Sequence, residues 1–368
     1  MAALNAHATI AFPKLNLYLE KIVTLLGDHD MRVEPRDGGY VVTAPFGTAR
    51  LTPGAEKLGL SVEAEDGSSL NRIKHVLTNL IDFVARAENP RIVWSGDKAG
   101  DTAPTDLRVL TVHGVVDLTP HMRRVRFKGD DLALYDVADQ IHCRLLFQPR
   151  DVIDPQWPKL GDDGRIVWPK GGQQLASRIY TIRRINPDSK TIDIDFYLHG
   201  ADGAGVRWIR EAAPGRMVGM LGPGGHGSKP ADWNVLVGDE TGLPGIARIV
   251  EELPPSARGI ALIEIADAAE EQKIVAPSGV EIRWLHRNGA RRGTADLLEN
   301  AVRSLEWPED FNGTFFWCGC EYAAFRSIRH FLRDTVKLPK DRQVAFAHWR
   351  RGMSNDDIIE AGGDVVSD

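Results

Sequence analysis

Cysteine is scarce in this chain: Cys143, Cys318 and Cys320 are the only three in 368 residues. A disulfide framework is therefore not expected, and a reducing compartment fits. Long apolar runs are missing too. None approaches the roughly 20 residues that span a bilayer, so membrane insertion is not expected. The amino terminus lacks a basic stretch followed by an apolar core, so no secretory signal is expected and the expected address is the cytoplasm. Basic excess is also absent, and a net charge of −6 argues against a general nucleic-acid binder. What remains is a globular composition, 43% hydrophobic and 26% charged. Its length exceeds one typical core, so two or three domains are expected.

A small, polar, proline-bearing linker at residues 96–106 marks one seam. Before it, Leu15, Leu19, Ile22 and Leu26 recur at helical spacing, with Gly27 as a stop. A second helix reads from Leu70 to Arg86, with Ile73, Val76, Leu77, Leu80 and Phe83 on one side. Strand-like stretches lie between, around Arg32, Tyr40–Ala44, Ala49–Thr52 and Leu58–Glu63. Residues 1–95 thus read as a small α+β domain of β-α-β-β-β-α order with no catalytic cluster. From 107 to 230, six short alternating strands punctuated by Gly and Pro predict an antiparallel β-barrel. From 231 to 352, strands and helices alternate, which predicts a parallel-sheet α/β domain with a nucleotide-binding-like crevice at its carboxyl ends. Residues 353–368 read as a tail.

Three fragments in the middle of the chain carry chemistry. In Arg178-Ile-Tyr-Thr181, alternation places Arg178 and Tyr180 on one face, where a phenol can lie against a planar ring and a guanidinium can pair with phosphate. Leu198-His199-Gly200 precedes a glycine-containing turn and helix start, Gly203-Ala204-Gly205-Val206-Arg207-Trp208. Free backbone N–H groups there favour a pyrophosphate. The third fragment is the turn Gly222-Pro-Gly-Gly225. Together they predict a dinucleotide site.

With Pro214-Gly215, Gly238-Asp-Glu-Thr-Gly-Leu-Pro-Gly-Ile246 and Ala347-His-Trp-Arg-Arg-Gly352, these motifs resemble the siderophore-interacting proteins. Those are ferric-siderophore reductases of the ferredoxin-reductase-like superfamily. The resemblance runs from about Leu107 to Gly352. The first hundred residues resemble a small bacterial domain of unknown function that is sometimes fused to such reductases. The resemblance implies that Arg178 pairs with the FAD pyrophosphate, Tyr180 packs on the isoalloxazine and Thr181 hydrogen-bonds near its reactive nitrogen. His199 and the 203–208 turn, with Gly203, Ala204, Gly205, Val206 and Trp208, would close over the pyrophosphate and adenosine.

On the donor side, Asp239, Glu240 and Thr241 sit where other nicotinamide reductases have a glycine- and threonine-rich turn, and their negative charge should weaken a pyrophosphate contact. The expected donors are NADH or NADPH, with a ferredoxin as the alternative. Cys318-Gly319 resembles the Cys-Gly that other reductases of the superfamily place near the nicotinamide, Cys320 and Glu321 occupy the place of the siderophore reductases' Gly-Glu, and buried inert thiols are the structural alternative. The segment His286, Arg287, Arg291 and Arg292 reads either as a phosphate grip or as a solvated basic loop. On the substrate side Arg144 stands where the family has a lysine that attracts the chelate. Gly224 and Val344 replace two further cations, and His226, Lys229 and Arg350 are candidates to compensate. No protein metal ligands are expected, since the Cys-x-Cys pair lacks the second pair that zinc needs.

The function implied is an FAD-dependent oxidoreductase, a monomer that reduces siderophore-bound Fe(III) and releases Fe(II) in the cytoplasm. The flavin carries the chemistry, and no catalytic acid or base is required. The competing expectations are a flavin reductase serving another acceptor and a non-enzymatic ferric-chelate binding protein.

Overall fold

The structure, a computed structural model, describes residues 3–28, 31–98, 103–104, 106–150, 152, 154–200, 203–225 and 227–353. It divides into two compact units: residues 1–107 with 148–175, and residues 108–147 with 176–368.

The first unit runs β1 (Leu4–Ala11), α1 (Leu15–Asp28), β2 (Arg32–Arg36), β3 (Gly39–Ala44), β4 (Gly47–Pro53), β5 (Lys57–Ala64), α2 (Gly67–Val84) and β6 (Trp94–Gly96). The strands form one antiparallel sheet in the order β2-β3-β4-β5-β1-β6. All four strand-like stretches expected between the helices are strands, one more than the β-α-β-β-β-α order allows, and a further strand follows α2. The Asp37-Gly38 turn, with φ angles of 49° and 74°, makes a two-residue hairpin between β2 and β3. Leu15, Ile22 and Leu26 of α1 and Leu70, Ile73, Leu77 and Ile81 of α2 pack on the sheet. Phe83, expected on that stripe, is 73% exposed. The helical repeat carries it off the flank that Ile81 and Val84 occupy.

The second unit opens with β7 (Arg108–Asp117), β8 (Met122–Lys128) and β9 (His142–Phe147). The chain then rejoins the first unit for residues 148–175, which hold the hairpin β10 (Lys159–Leu160) and β11 (Ile166–Val167). The expected barrel domain of 107–230 is thus interrupted. The insertion is tied to the first unit by polar contacts: Trp94 N donates to Asp162 O at 2.8 Å, Thr78 Oγ1 to Asp163 O at 3.2 Å, and Arg165 pairs with Asp82 at 2.9 Å. The barrel resumes with β12 (Ala176–Asn186), β13 (Thr191–Tyr197), α3 (Ala204–Arg210) and β14 (Met217–Gly224). Its six strands close in the order β12-β13-β8-β7-β14-β9, every pair antiparallel. Inward residues such as Leu110, Phe127, Leu145, Ile194, Phe196 and Met220 fill the interior, and Trp208 and Ile209 of α3 join them.

The α/β part follows: β15 (Trp233–Gly238), α4 (Leu243–Glu252), β16 (Arg258–Ile265), β17 (Gly279–His286), α5 (Leu297–Arg303), β18 (Thr314–Glu321), α6 (Tyr322–Phe331) and β19 (Gln343–Trp349). The sheet is parallel throughout, in the order β17-β16-β15-β18-β19. Strand order reverses at β15, so a ligand crevice belongs at the carboxyl ends of β15 and β18. The barrel and this sheet are joined within the unit by buried Arg248, whose Nη1 donates to Ile182 O at 2.9 Å, and by Arg183 paired with Glu251 at 2.6 Å. Among the described residues no helix is long and apolar enough to cross a membrane.

Candidate functional site

The β12–β9 register pairs Arg178 with Leu145, Ile179 with Arg144, Tyr180 with Cys143 and Thr181 with His142. Arg178 and Tyr180 therefore share the face of Leu145 and Cys143, while Ile179 and Arg144 share the other. The Tyr180 ring lies 4.6 Å from Phe196 and edge-on to Phe147 at 6.2 Å. Its hydroxyl touches Gly205: a Cβ there would stand 2.9 Å from Tyr180 Oη and 3.5 Å from Arg178 Cγ. Only a bare glycine lets the first turn of α3 come this close. The N-cap, Gly203, offers no side chain, so the first-turn amides are not capped by one. A glycine cradle, a guanidinium stem and uncapped amides thus converge, which fits the phosphates of a dinucleotide.

The remaining expected flavin residues divide. Thr181 is buried opposite His142. His199 is half-buried, and its carbonyl accepts from Arg210 Nη2 at 3.0 Å. Burial, then Arg292 and Arg210, lowers its imidazole pKa, so it is neutral at pH 7. Val206 is buried. Trp208, expected near the adenosine, is spent on the barrel core, 5.3 Å from Phe147 and 6.2 Å from Phe127.

At the carboxyl end of β15, Asp239 and Glu240 are buried. Asp239 Oδ1 accepts from Thr241 N at 2.8 Å, and its Oδ2 accepts from Trp349 Nε1 at 2.6 Å. Burial alone would raise its pKa, but Arg292 and the hydrogen bonds from Thr241 and Trp349 hold the carboxyl below its usual range. Glu240 is bonded by Arg287, whose Nη1 also reaches Glu264 at 3.1 Å. Glu264 is pushed up to about 7 by burial, which outweighs the pull of Arg287. The negative charge expected to repel a pyrophosphate is therefore neutralised from within. Arg287 is a buried counter-ion rather than part of a solvated loop.

Arg292 stands 4.6 Å from the Tyr197 ring of β13 and 3.7 Å from the Trp349 ring. Its Nε and Nη2 are buried without a hydrogen-bond partner. Sequence patterning missed Tyr197 and Trp349 as its partners, because nothing local joins residues so far apart. His348 lies on Gly319, where a Cβ would meet its Cε1 at 2.6 Å, and its Nδ1 donates to Thr241 O at 3.2 Å. Cys318 and Cys320 flank Gly319 on the opposite face, fully buried with their Sγ atoms 3.6 Å apart. Hydrogen bonding to Cys318, then burial, raises the Cys320 thiol well above its usual pKa, so it is an inert core group.

On the substrate side Arg144 is exposed, with Nη1 3.1 Å from Ser177 Oγ and the 60% exposed Ile179 beside it. Lys229 is engaged with Asp341 O at 2.7 Å. The Arg350 guanidinium lies 4.7 Å over Tyr322 and lines a cavity that includes neither Arg144 nor Lys229. His226 lies outside the described residues. Among the described residues no three His, Cys, Asp or Glu side chains are grouped to hold a metal.

Comparison with known proteins gives a family for each part of the chain. Residues 111–227 match the siderophore-interacting FAD-binding domain, residues 231–352 the siderophore-interacting protein model, and residues 7–95 a family of uncharacterized proteins conserved in bacteria. The chain is 27% identical over 254 residues to the ferric vibriobactin reductase ViuB of Vibrio cholerae, covering 68% of this chain and 92% of that one. A siderophore utilization protein from T. fusca is 39% identical, covering 69% of this chain and 96% of its own, with a TM-score of 0.62. The siderophore-interacting protein SipS of Aeromonas hydrophila is 30% identical, covering 71% and 98%, with a TM-score of 0.60.

Proposed function

This chain belongs to the siderophore-interacting protein family, and from that premise we propose that it reduces siderophore-bound Fe(III) with electrons from NADH or NADPH, acting as a monomer in the cytoplasm. It is an FAD-dependent oxidoreductase. The observation that carries the proposal is the meeting of Arg178 and Tyr180 with the uncapped turn of α3 at Gly205.

When bound, FAD would supply the redox chemistry that links a two-electron donor to a one-electron acceptor. The protein's task is then to bind and orient. Arg178 would hold the pyrophosphate by charge-assisted hydrogen bonds, together with the amides of Gly205 and Val206. Tyr180, fixed by Phe196, Phe147 and Gly205, offers its ring as a rigid wall. On the donor side, Arg292 Nε and Nη2, which make no hydrogen bond although they stand 3.5 Å from Glu240 and 3.9 Å from Asp239, would donate to a carboxamide or phosphate oxygen of the nicotinamide nucleotide. Arg144 attracts an anionic chelate from the exposed outer face of β9. Ferrous iron binds hard oxygen ligands far less tightly than ferric iron, so reduction becomes release. With neutral residues at Gly224 and Val344, a weakly charged hydroxamate chelate is favoured over a tris-catecholate.

Arg144→Ala tests the substrate assignment. The KM for an anionic ferric chelate should rise about two- to tenfold, with the difference shrinking at high ionic strength. Reduction of the flavin by the donor should be unchanged. An equal fall in both half-reactions would make Arg144 part of the scaffold.

A further inference from the structure

The chain as a whole carries a net charge of −6, yet residues 322–351 hold eight Lys and Arg against two Asp and Glu. That basic stretch includes α6 and the residues just after β19, and a cavity of about 500 Å³ opens between them. Arg326, His330, Arg350 and Arg351 line it. The guanidiniums of Arg350 and Arg326 lie 4.7 Å and 5.7 Å from one ring, that of Tyr322. The one carboxylate in the lining, Glu321, is buried and already engaged. Its Oε2 accepts from Ala323 N at 2.5 Å as the cap of α6, and its Oε1 accepts from Arg351 N at 3.0 Å. Among the described residues no carboxylate lies within ion-pair distance of Arg326, Arg350 or Arg351.

Three guanidiniums face one concavity that holds a single carboxylate, Glu321, so the lining keeps an excess of positive charge that a bound anion relieves. The concavity is open to solvent, and its volume is of the size a small molecule fills. Arginine forks match the paired oxygens of phosphate and of carboxylate equally well, and the Tyr322 ring keeps two of them in place. The position, at the carboxyl ends of β18 and β19, is where open parallel sheets bind ligands.

We infer that the cavity beside α6 is a binding site for a small polyanion bearing phosphate or carboxylate groups, separate from the flavin cradle on the barrel. Arg350, expected from sequence to contact the iron chelate, is one of its ligands.

The test is isothermal titration of the full-length, FAD-loaded protein with inorganic pyrophosphate and, separately, with citrate, at matched ionic strength. At least one should bind saturably at one site per chain. Arg326→Ser and Arg351→Ser, both at exposed positions, should each weaken that binding about tenfold or more. FAD content should stay at the wild-type level, which keeps this outcome distinct from any failure of the flavin assignment. Binding of pyrophosphate alone assigns a phosphate ligand, and of citrate alone a carboxylate ligand. The inference is overturned if neither anion saturates, if chloride at equal ionic strength reproduces the signal, or if both variants bind as wild type does.

Discussion

Arg178→Ala should purify as folded protein with little or no FAD. Charge-assisted contacts of this kind contribute about 1.5–3 kcal/mol, so affinity should fall roughly ten- to a hundredfold. The barrel itself should tolerate the change, because Arg178 is only partly buried and the strand's pairing to β9 is made by backbone. Arg178→Lys separates charge from shape. It keeps the cation but loses the planar fork, so it should recover part of the lost affinity and not all of it. Flavin absorbance per polypeptide, followed by titration of the apoprotein with FAD, reads both variants. Undiminished flavin content in Arg178→Ala would remove the guanidinium from the site.

The largest effect on stability should come from Arg287→Met. Arg287 lies among Glu240 and Glu264, and all three side chains are 5% exposed or less. Removing the cation leaves two buried carboxyl groups short of their partner, a change that typically costs about 3–5 kcal/mol. Its pH dependence has a definite sign. Glu264 titrates at about 7 in the folded protein, above its ordinary 4.5. Between those values the folded chain holds a proton that the unfolded chain has released, so this group's contribution to stability falls as pH rises. Without Arg287 the raised pKa moves higher still, and the deficit of the variant against wild type should widen from pH 5 to pH 8. Chemical denaturation at several pH values measures it. A deficit under about 1 kcal/mol, or one that does not change with pH, would mean that the network is not a buried ion cluster.

These two residues also mark what could be read from sequence and what could not. The Arg178-Tyr180 face follows from strand alternation, and the partner turn announces itself by glycine, so these residues were legible from local pattern, while their roles toward a flavin come from the resemblance. The barrel and the parallel sheet were legible for the same reason, since periods of two and of 3.6 report which face is buried. The insertion was not. Residues 148–175 lack strong periodicity, and their partners Trp94, Thr78 and Asp82 lie more than sixty positions away. The donor side failed in the same way. Asp239 and Glu240 read as negative charge set against a pyrophosphate, yet Arg287, Arg292 and Trp349, contributed by distant segments, draw them into a buried network. Tertiary pairing of charges leaves no trace in a local window.

The central claim is that this protein's flavin delivers electrons to chelated iron, and one anaerobic experiment tests it most directly. The FAD-loaded protein is reduced with a single equivalent of dithionite, a ferric hydroxamate siderophore is added, and flavin absorbance is followed beside a colorimetric trap for Fe(II). The account predicts rapid reoxidation with about two Fe(II) formed per flavin. Flavin that stays reduced in the presence of the ferric chelate, yet reoxidises promptly when a small dye is added, would contradict it.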